Sequence, residues 1–203
     1  MRPTRPRSND YYRDPVLNMK MRNMAGRIPY YPTKWEVLKR ITRLYTPRPG
    51  DRVVELGSGD ARVIRYLARS FDDITATGVE INPVLVSESR KRVERERLEG
   101  RVEIVMGDLF SHPLDCYDVV YAYLTPNALL RLRDRLAALL LRGGRVVTLD
   151  YRVPGLEPVD REEVHTPGRR HVLYLYTSES VPLSLRPSGK LLVRRPGNLG
   201  PPL

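Results

Sequence analysis

Three acidic residues each close a short apolar run: Glu55 in "VVELGSGDARVI", Glu80 in "GVEINP" and Asp108 in "MGDLF". Behind the first come Gly57, Ser58 and Gly59, a turn whose missing side chains let backbone and ligand approach closely and allow positive φ. Glycine turns of this kind grip nucleotides, and their neighbours decide which. A dinucleotide fingerprint wants a third glycine where Arg62 stands, and a P-loop wants a Gly-Lys-Ser/Thr that never follows. What is left is a glycine turn among carboxylates, better suited to a cationic ligand than to a pyrophosphate.

S-adenosylmethionine carries an amine, a carboxylate and a sulfonium, and no phosphate. In this reading Glu55 faces the cationic methionine end. Glu80, beside Ile81, accepts hydrogen bonds from the ribose hydroxyls, the part an acidic residue plays in nucleotide folds generally. Gly107, Asp108 and Leu109 close a further strand, where Asp108 takes the adenine amino proton and apolar neighbours flank the ring. Taken singly each has a plain structural reading: a common turn, a helix cap at Glu80, an ordinary Gly-Asp bend. Their order and spacing together specify the cofactor. Methyl transfer from it is an in-line displacement, so the protein mainly aligns the nucleophile and excludes water. Nothing points to metal chemistry, since His112, His165 and His171 are scattered without ligand spacing. Cys116 is the single cysteine and reads as a small buried hydrophobe.

These residues need elements to hold them. Short apolar runs predict strands at 52–56, 74–79, 102–106, 118–123 and 145–150, with helical stretches at 60–70, 83–98 and 126–141 between them. Thr125 precedes Pro126 as the cap of the last helix. Upstream, Thr33 and Glu36 have capping-box spacing and predict a helix from Lys34, ended by Pro47, Pro49 and Gly50. Alternation of strand and helix implies a doubly wound α/β domain with a parallel sheet. After Asp150 two strands, near 162–165 and 171–176, flank the turn "TPGR". A Rossmann-like sheet closed by a C-terminal antiparallel hairpin is the seven-stranded layout of the methyltransferases.

The chain of 203 residues, 41% hydrophobic, has room for one packed domain and tails. The formal charge of +11 is concentrated at the ends: residues 1–27 carry +5 and 181–203 carry +4, leaving +2 for residues 28–180. The division is thus a basic arm (1–27), a methyltransferase domain (28–180) and a basic tail (181–203). The two ends read either as solvated arms or as attractors of nucleic acid. No apolar run is long enough to span a bilayer and no secretory signal opens the chain, so a cytoplasmic location is expected. Met24 is an alternative start to Met1.

The loop after the fourth strand, "YAYLTPN", lacks the Pro-Pro-aromatic signature of enzymes that methylate exocyclic base amines. Together with "IPYYPT", "VVELGSGDARVI", "GVEINP", "GDLF", "RVVTLDY" and "HVLYLYT", it resembles the archaeal protein lysine methyltransferases and their mitochondrial relatives acting on ATP synthase and the adenine nucleotide translocase. The resemblance covers residues 28–178, and its telling parts are the proline-aromatic lead and the Leu-Thr-x-Asn loop. The arginine-rich arm and the tail depart from the compact archaeal pattern. The resemblance implies that Tyr31, Pro32 and Thr33 fold over the cofactor and that Tyr123, Thr125 and Asn127, joined by Tyr151, line the methyl-acceptor site. Protein substrates with accessible lysines follow. Tyrosines at 30, 31, 121, 123 and 151 are also suited to enclose a lysine stem, with Tyr123 favoured over Tyr121 because it is nearer the strand end. RNA or a small molecule as acceptor is the alternative, and a cofactor-binding regulator without transferase activity is a third reading.

Overall fold

A computed structural model describes residues 31–186. Helix α1 (Trp35–Leu44) leads into β1 (Arg52–Leu56), α2 (Arg62–Ser70), β2 (Thr75–Glu80), α3 (Pro83–Arg95) and β3 (Val102–Met106). Then follow β4 (Val119–Ala122), α4 (Pro126–Leu141), β5 (Arg145–Leu149), and the hairpin β6 (Asp160–Thr166) and β7 (Arg169–Tyr176). Two 3₁₀ turns, Ser178–Ser180 and Leu183–Leu185, close the described chain. The seven strands form one sheet in the order β3-β2-β1-β4-β5-β7-β6. β1 to β5 are parallel, and β7 runs antiparallel to both β5 and β6. The doubly wound sheet and its closing hairpin are therefore both present.

The central strands are buried on both faces, and alternate side chains divide between two cores. Val53, Val119, Tyr121 and Val147 pack with α1 and α2. Val54, Leu56, Val120, Ala122 and Val146 pack with α4, whose Leu129, Leu132, Leu136, Leu139 and Leu140 are fully enclosed. Each such leucine contributes about 1.5–3 kcal/mol of burial. The strand path runs from β1 outward to β3 and then returns to β4 on the other side of β1. That reversal places a crevice between the C-terminal ends of β1 and β4, where open α/β sheets take their ligands.

Three boundaries moved for local reasons. The helix after the glycine turn begins at Arg62 and not at Asp60, because Gly59 (φ 56°) and Ala61 (φ 57°) are both left-handed. β5 ends at Leu149 because Asp150 is itself left-handed, at φ 65°. The capping box at Thr33 does not form: Lys34 is the N-cap of α1, with no side-chain cap bond. Thr125 does cap α4, accepting from the Ala128 N–H at 3.4 Å. Cys116 is exposed in the turn before β4, a correction to the buried reading. Tyr30, the proposed alternative start and most of both basic ends lie outside the described residues. Val181, 1% exposed, belongs to the core, so packing continues past residue 180.

Candidate active site

The glycine turn is strapped to the neighbouring strand by its own amides. Gly57 and Ser58 N–H groups donate to the Val79 carbonyl at 2.9 and 3.0 Å, and the Gly59 N–H donates to Glu80 Oε2 at 2.8 Å. Ala61 N–H donates to Ser58 O at 2.7 Å. A phosphate nest would aim these donors at the ligand; here they are spent inside the protein. The turn also fits tightly beneath. A Cβ on Gly57 (φ 72°) would meet Leu124 Cδ2 at 3.1 Å, so the absent side chain lets the loop after β4 seat against the turn after β1. Ser58, buried, packs on Gly78 of β2, where an added Cβ would lie 2.7 Å from Ser58 Oγ.

Carboxylates supply the site's charge. Glu55 ends β1 within one residue, 5% exposed, and its Oε2 has no hydrogen-bond partner among the described residues. Burial pushes its carboxyl well above the usual range, Asp60 and Glu80 push it further, and the Ile64 N–H and Arg62 pull back. An orphaned acidic oxygen in this place fits a cationic ligand group. Glu80 also accepts from the Asn82 N–H at 2.9 Å through Oε1, so it braces both the glycine turn and the turn after β2. The helix cap is Asn82 and not Glu80, since Asn82 Oδ1 accepts from Val84 N–H. Asp108 is exposed, with Oδ1 held by the Phe110 N–H at 2.9 Å, and Gly107 N–H pairs with Glu80 O at 3.0 Å. Ile81, next to Glu80, and Met106, two residues before Asp108, stand 66% and 60% exposed, apolar surface left open to a flat ring. Leu109 is instead buried, packing towards Gly57.

Sequence reasoning missed the buried cluster that follows the turn. Asp60 Oδ1 and Oδ2 accept from Arg62 Nε and Nη2, both at 2.8 Å, and Oδ2 also accepts from Arg92 Nη1 at 3.2 Å. Burial alone would raise the Asp60 carboxyl, but the charge and hydrogen bonds of Arg62, with Arg65 and Arg92, hold it below its ordinary value. Arg62 Nη1 reaches on to the Thr33 carbonyl at 3.1 Å. Lys34 Nζ, on the other side, donates to Thr166 Oγ1 at 2.9 Å at the β6–β7 turn. That turn extends beyond the C-terminal end of β5, because Leu149 pairs with Leu173 and β7 starts four residues earlier. Thr33 and Lys34 are therefore tied to two different elements, the Thr33 carbonyl to Arg62 of α2 and the Lys34 side chain to the hairpin. Tyr31 is 63% exposed and Thr33 is buried, its side chain beside the Tyr121 hydroxyl. The unexpected arginine at the third-glycine position was the available signal.

Burial divides the tyrosines. Tyr121 is 1% exposed and belongs to the core. Tyr123, just past β4, is half-buried and donates its hydroxyl proton to Asp150 Oδ2 at 2.9 Å. Burial pushes that hydroxyl up, and the hydrogen bond and charge of Asp150 push it further, against Arg169. Asp150 also accepts from Arg169 Nη2 at 2.8 Å, Val172 N–H at 3.3 Å and His171 Nδ1 at 3.0 Å. Tyr151 follows, 39% exposed, its carbonyl held by Thr148 Oγ1. Thr125 and Asn127 are exposed at the start of α4, on the rim of the same loop. Asp150 went unnoticed, although it repeats the pattern that identified Glu80: an acid closing an apolar strand.

The pattern of the ANTKMT methyltransferase domain matches residues 55–160, from Glu55 through the start of β6. The chain belongs to this family. It is 32% identical over 149 residues to a protein-lysine N-methyltransferase of Saccharolobus islandicus, a match spanning 73% of this chain and 92% of that protein. It is 34% identical over 133 residues to the adenine nucleotide translocase lysine N-methyltransferase of Mus musculus, covering 65% of this chain and 57% of the mouse protein. The chain thus spans little more than half the length of that relative. A crystal structure of an RNA methyltransferase from Salinibacter ruber with S-adenosyl-L-homocysteine superposes with a TM-score of 0.67 at 31% identity, covering 77% of this chain and all of that one. This family member is an S-adenosylmethionine-dependent methyltransferase, and the open apolar flank and orphaned Glu55 oxygen fit that cofactor.

Proposed function

We propose that the protein methylates the ε-amine of lysine in other proteins. The observation that carries this reading is the acceptor end of the crevice, where Tyr123 is oriented by a buried carboxylate and Tyr151 stands open beside it. Rings with hydroxyls enclose an aliphatic stem and contact a cationic head. The kinship to the Saccharolobus enzyme supports the same acceptor class. In this reading Glu55, the 57–59 turn, Glu80 with Ile81, and residues 107–109 hold the cofactor, residues 31–33 cover it, and Tyr123, Thr125, Asn127 and Tyr151 receive the lysine.

S-adenosylmethionine, when bound, supplies a methyl on a sulfonium sulfur, and the C–S electron pair leaves with the sulfur as the amine lone pair forms the C–N bond. The protein's part is geometry and desolvation. The lysine must arrive neutral. Burial lowers an ammonium pKa, and the proton leaves to solvent through the open rim. In this reading residues 31–33, folded over the cofactor, keep water from the reacting atoms.

RNA is the second acceptor class, favoured by the basic ends and by the name of the Salinibacter relative. In that case the arm (1–27) and the tail (181–203) grip phosphates beside the 28–180 domain. Incubating the full chain with radiolabelled methyl donor and fractionated cell extract separates the readings. Label in protein lysine is expected. Label confined to RNA would overturn the lysine assignment, and no label in either fraction would favour a regulator that binds the cofactor without transferring from it.

A further inference from the structure

Asp150 has more partners than a surface turn requires. It occupies a left-handed backbone conformation, φ 65°, without being glycine, and its side chain is only 7% exposed. Such strain costs on the order of 1–3 kcal/mol and persists only where the surroundings fix it. Here they do. The Asp150 N–H donates to the Val172 carbonyl at 2.7 Å, locking β7 to the end of β5. Its carboxylate then accepts from Tyr123, Arg169, His171 and the Val172 N–H. The network joins the loop after β4 to the closing hairpin.

One of these bonds bears on chemistry. A phenol hydroxyl has one proton and two lone pairs. With the proton committed to Asp150, Tyr123 can only accept from anything that enters the crevice. We propose that Asp150 is a positioning residue for the acceptor nitrogen: it fixes Tyr123 as a hydrogen-bond acceptor, so that a lysine N–H is drawn to the hydroxyl oxygen and the nitrogen lone pair is turned towards the methyl. A Tyr123 hydroxyl free to rotate would instead donate to that lone pair and quench the nucleophile. Arg169, half exposed on the outer side of Asp150, pairs with the carboxylate and keeps it aimed. The proposal rests on the lysine reading only for the identity of the nitrogen; the Asp150–Tyr123 coupling stands apart from it.

The test uses the full chain and the variants Asp150→Asn, Asp150→Ala, Tyr123→Phe and the double variant Asp150→Asn/Tyr123→Phe. Asparagine tolerates the left-handed conformation and keeps one acceptor oxygen, so Asp150→Asn should fold. Titration of ¹³C-labelled tyrosine by NMR, without cofactor or substrate, should show the Tyr123 hydroxyl losing its proton at lower pH in Asp150→Asn than in the parent. The rate of label transfer into extract protein at saturating donor should fall tenfold or more in Asp150→Ala, which leaves the Tyr123 hydroxyl no acceptor, and less in Asp150→Asn, whose remaining oxygen still accepts, with S-adenosylhomocysteine affinity by calorimetry within twofold in both. The double variant should be no slower than Tyr123→Phe alone, since Asp150 acts through that hydroxyl. Additive losses in the double variant, or an unmoved Tyr123 titration, would overturn the proposal. Label entering RNA instead of protein would remove the lysine reading while leaving the titration result to decide the coupling.

Discussion

Glu80→Ala tests whether the carboxylate that braces the glycine turn also holds the ligand. In the folded protein Glu80 takes two backbone donors, Gly59 N–H at 2.8 Å and Asn82 N–H at 2.9 Å. Asn82 is partly open and water replaces its partner after truncation. Gly59 is buried, and its unpaired N–H costs about 1–3 kcal/mol. In a domain of this size that corresponds to a fall in Tm of roughly 2–4 °C per kcal/mol. Each oxygen keeps a lone pair for a ligand hydroxyl, and a hydrogen bond to a charged acceptor contributes about 1.5–3 kcal/mol. Cofactor affinity should therefore weaken about 10- to 150-fold, more if the turn relaxes. Calorimetry with S-adenosylhomocysteine, run well below the variant's Tm, reads this directly. A lowered Tm with unchanged affinity would reduce Glu80 to a strap for the turn and refute its place in the cofactor site.

Glu55→Gln should raise Tm at pH 7 by about 2–4 °C, the shift that ~1 kcal/mol gives here, while weakening cofactor binding. Because the folded carboxyl is raised, mainly by burial, its stabilisation is complete below the ordinary carboxylate pKa and is lost as pH rises through the folded value; the advantage of Gln should vanish near pH 4, and a pH-independent difference in Tm would refute the assignment. Asp60→Ala leaves the buried Arg62 without its bidentate partner, for a loss of about 3–5 kcal/mol by denaturant unfolding; a loss under ~1 kcal/mol would show that the cluster carries little. Gly78→Ala forces a Cβ to within 2.7 Å of Ser58 Oγ and 2.9 Å of Ile64 Cδ1, so stability should drop by about 1–3 kcal/mol, and an unchanged midpoint would mean the turn shifts freely.

The fold was legible because its signals are local and repeated. β1 and β3 fall at the predicted residues, and α4 at its predicted bounds, because apolar runs, Pro126 and the Thr125 cap all agree. The positions of Glu55, the glycine turn and Glu80 at strand ends were legible for a similar reason. Thr33 misled because its spacing to Glu36 imitates a capping box, whereas the Thr33 carbonyl is claimed by Arg62, 29 residues away. Cys116 misled because propensity for burial says nothing of a turn that stands proud of the sheet. The Asp60–Arg62 fork lies within a short window, but Arg62–Thr33, Asp60–Arg92, Tyr123–Asp150 and His171–Asp150 pair across 21 to 32 residues, and no short window on the sequence contains both ends of such bonds.

The long-range bonds that the sequence hid also connect the two halves of the candidate site. Arg62 ties the glycine turn to Thr33, Lys34, the next residue, ties to the hairpin, and Arg169 of the hairpin ties back to Asp150 and Tyr123. Leu124 against Gly57 closes the ring from below. In the proposed reading, a cofactor in the turn is thus mechanically continuous with the tyrosine proposed to meet the acceptor. Such a ring is stiffest when every bond is made, so loosening Arg62 should disturb acceptor alignment as well as cofactor affinity. Arg62→Lys, which keeps charge but loses the fork to Asp60 and the reach to Thr33, should lower the transfer rate more than S-adenosylhomocysteine affinity. Equal losses in both would confine Arg62 to the cofactor side and break the ring at that point.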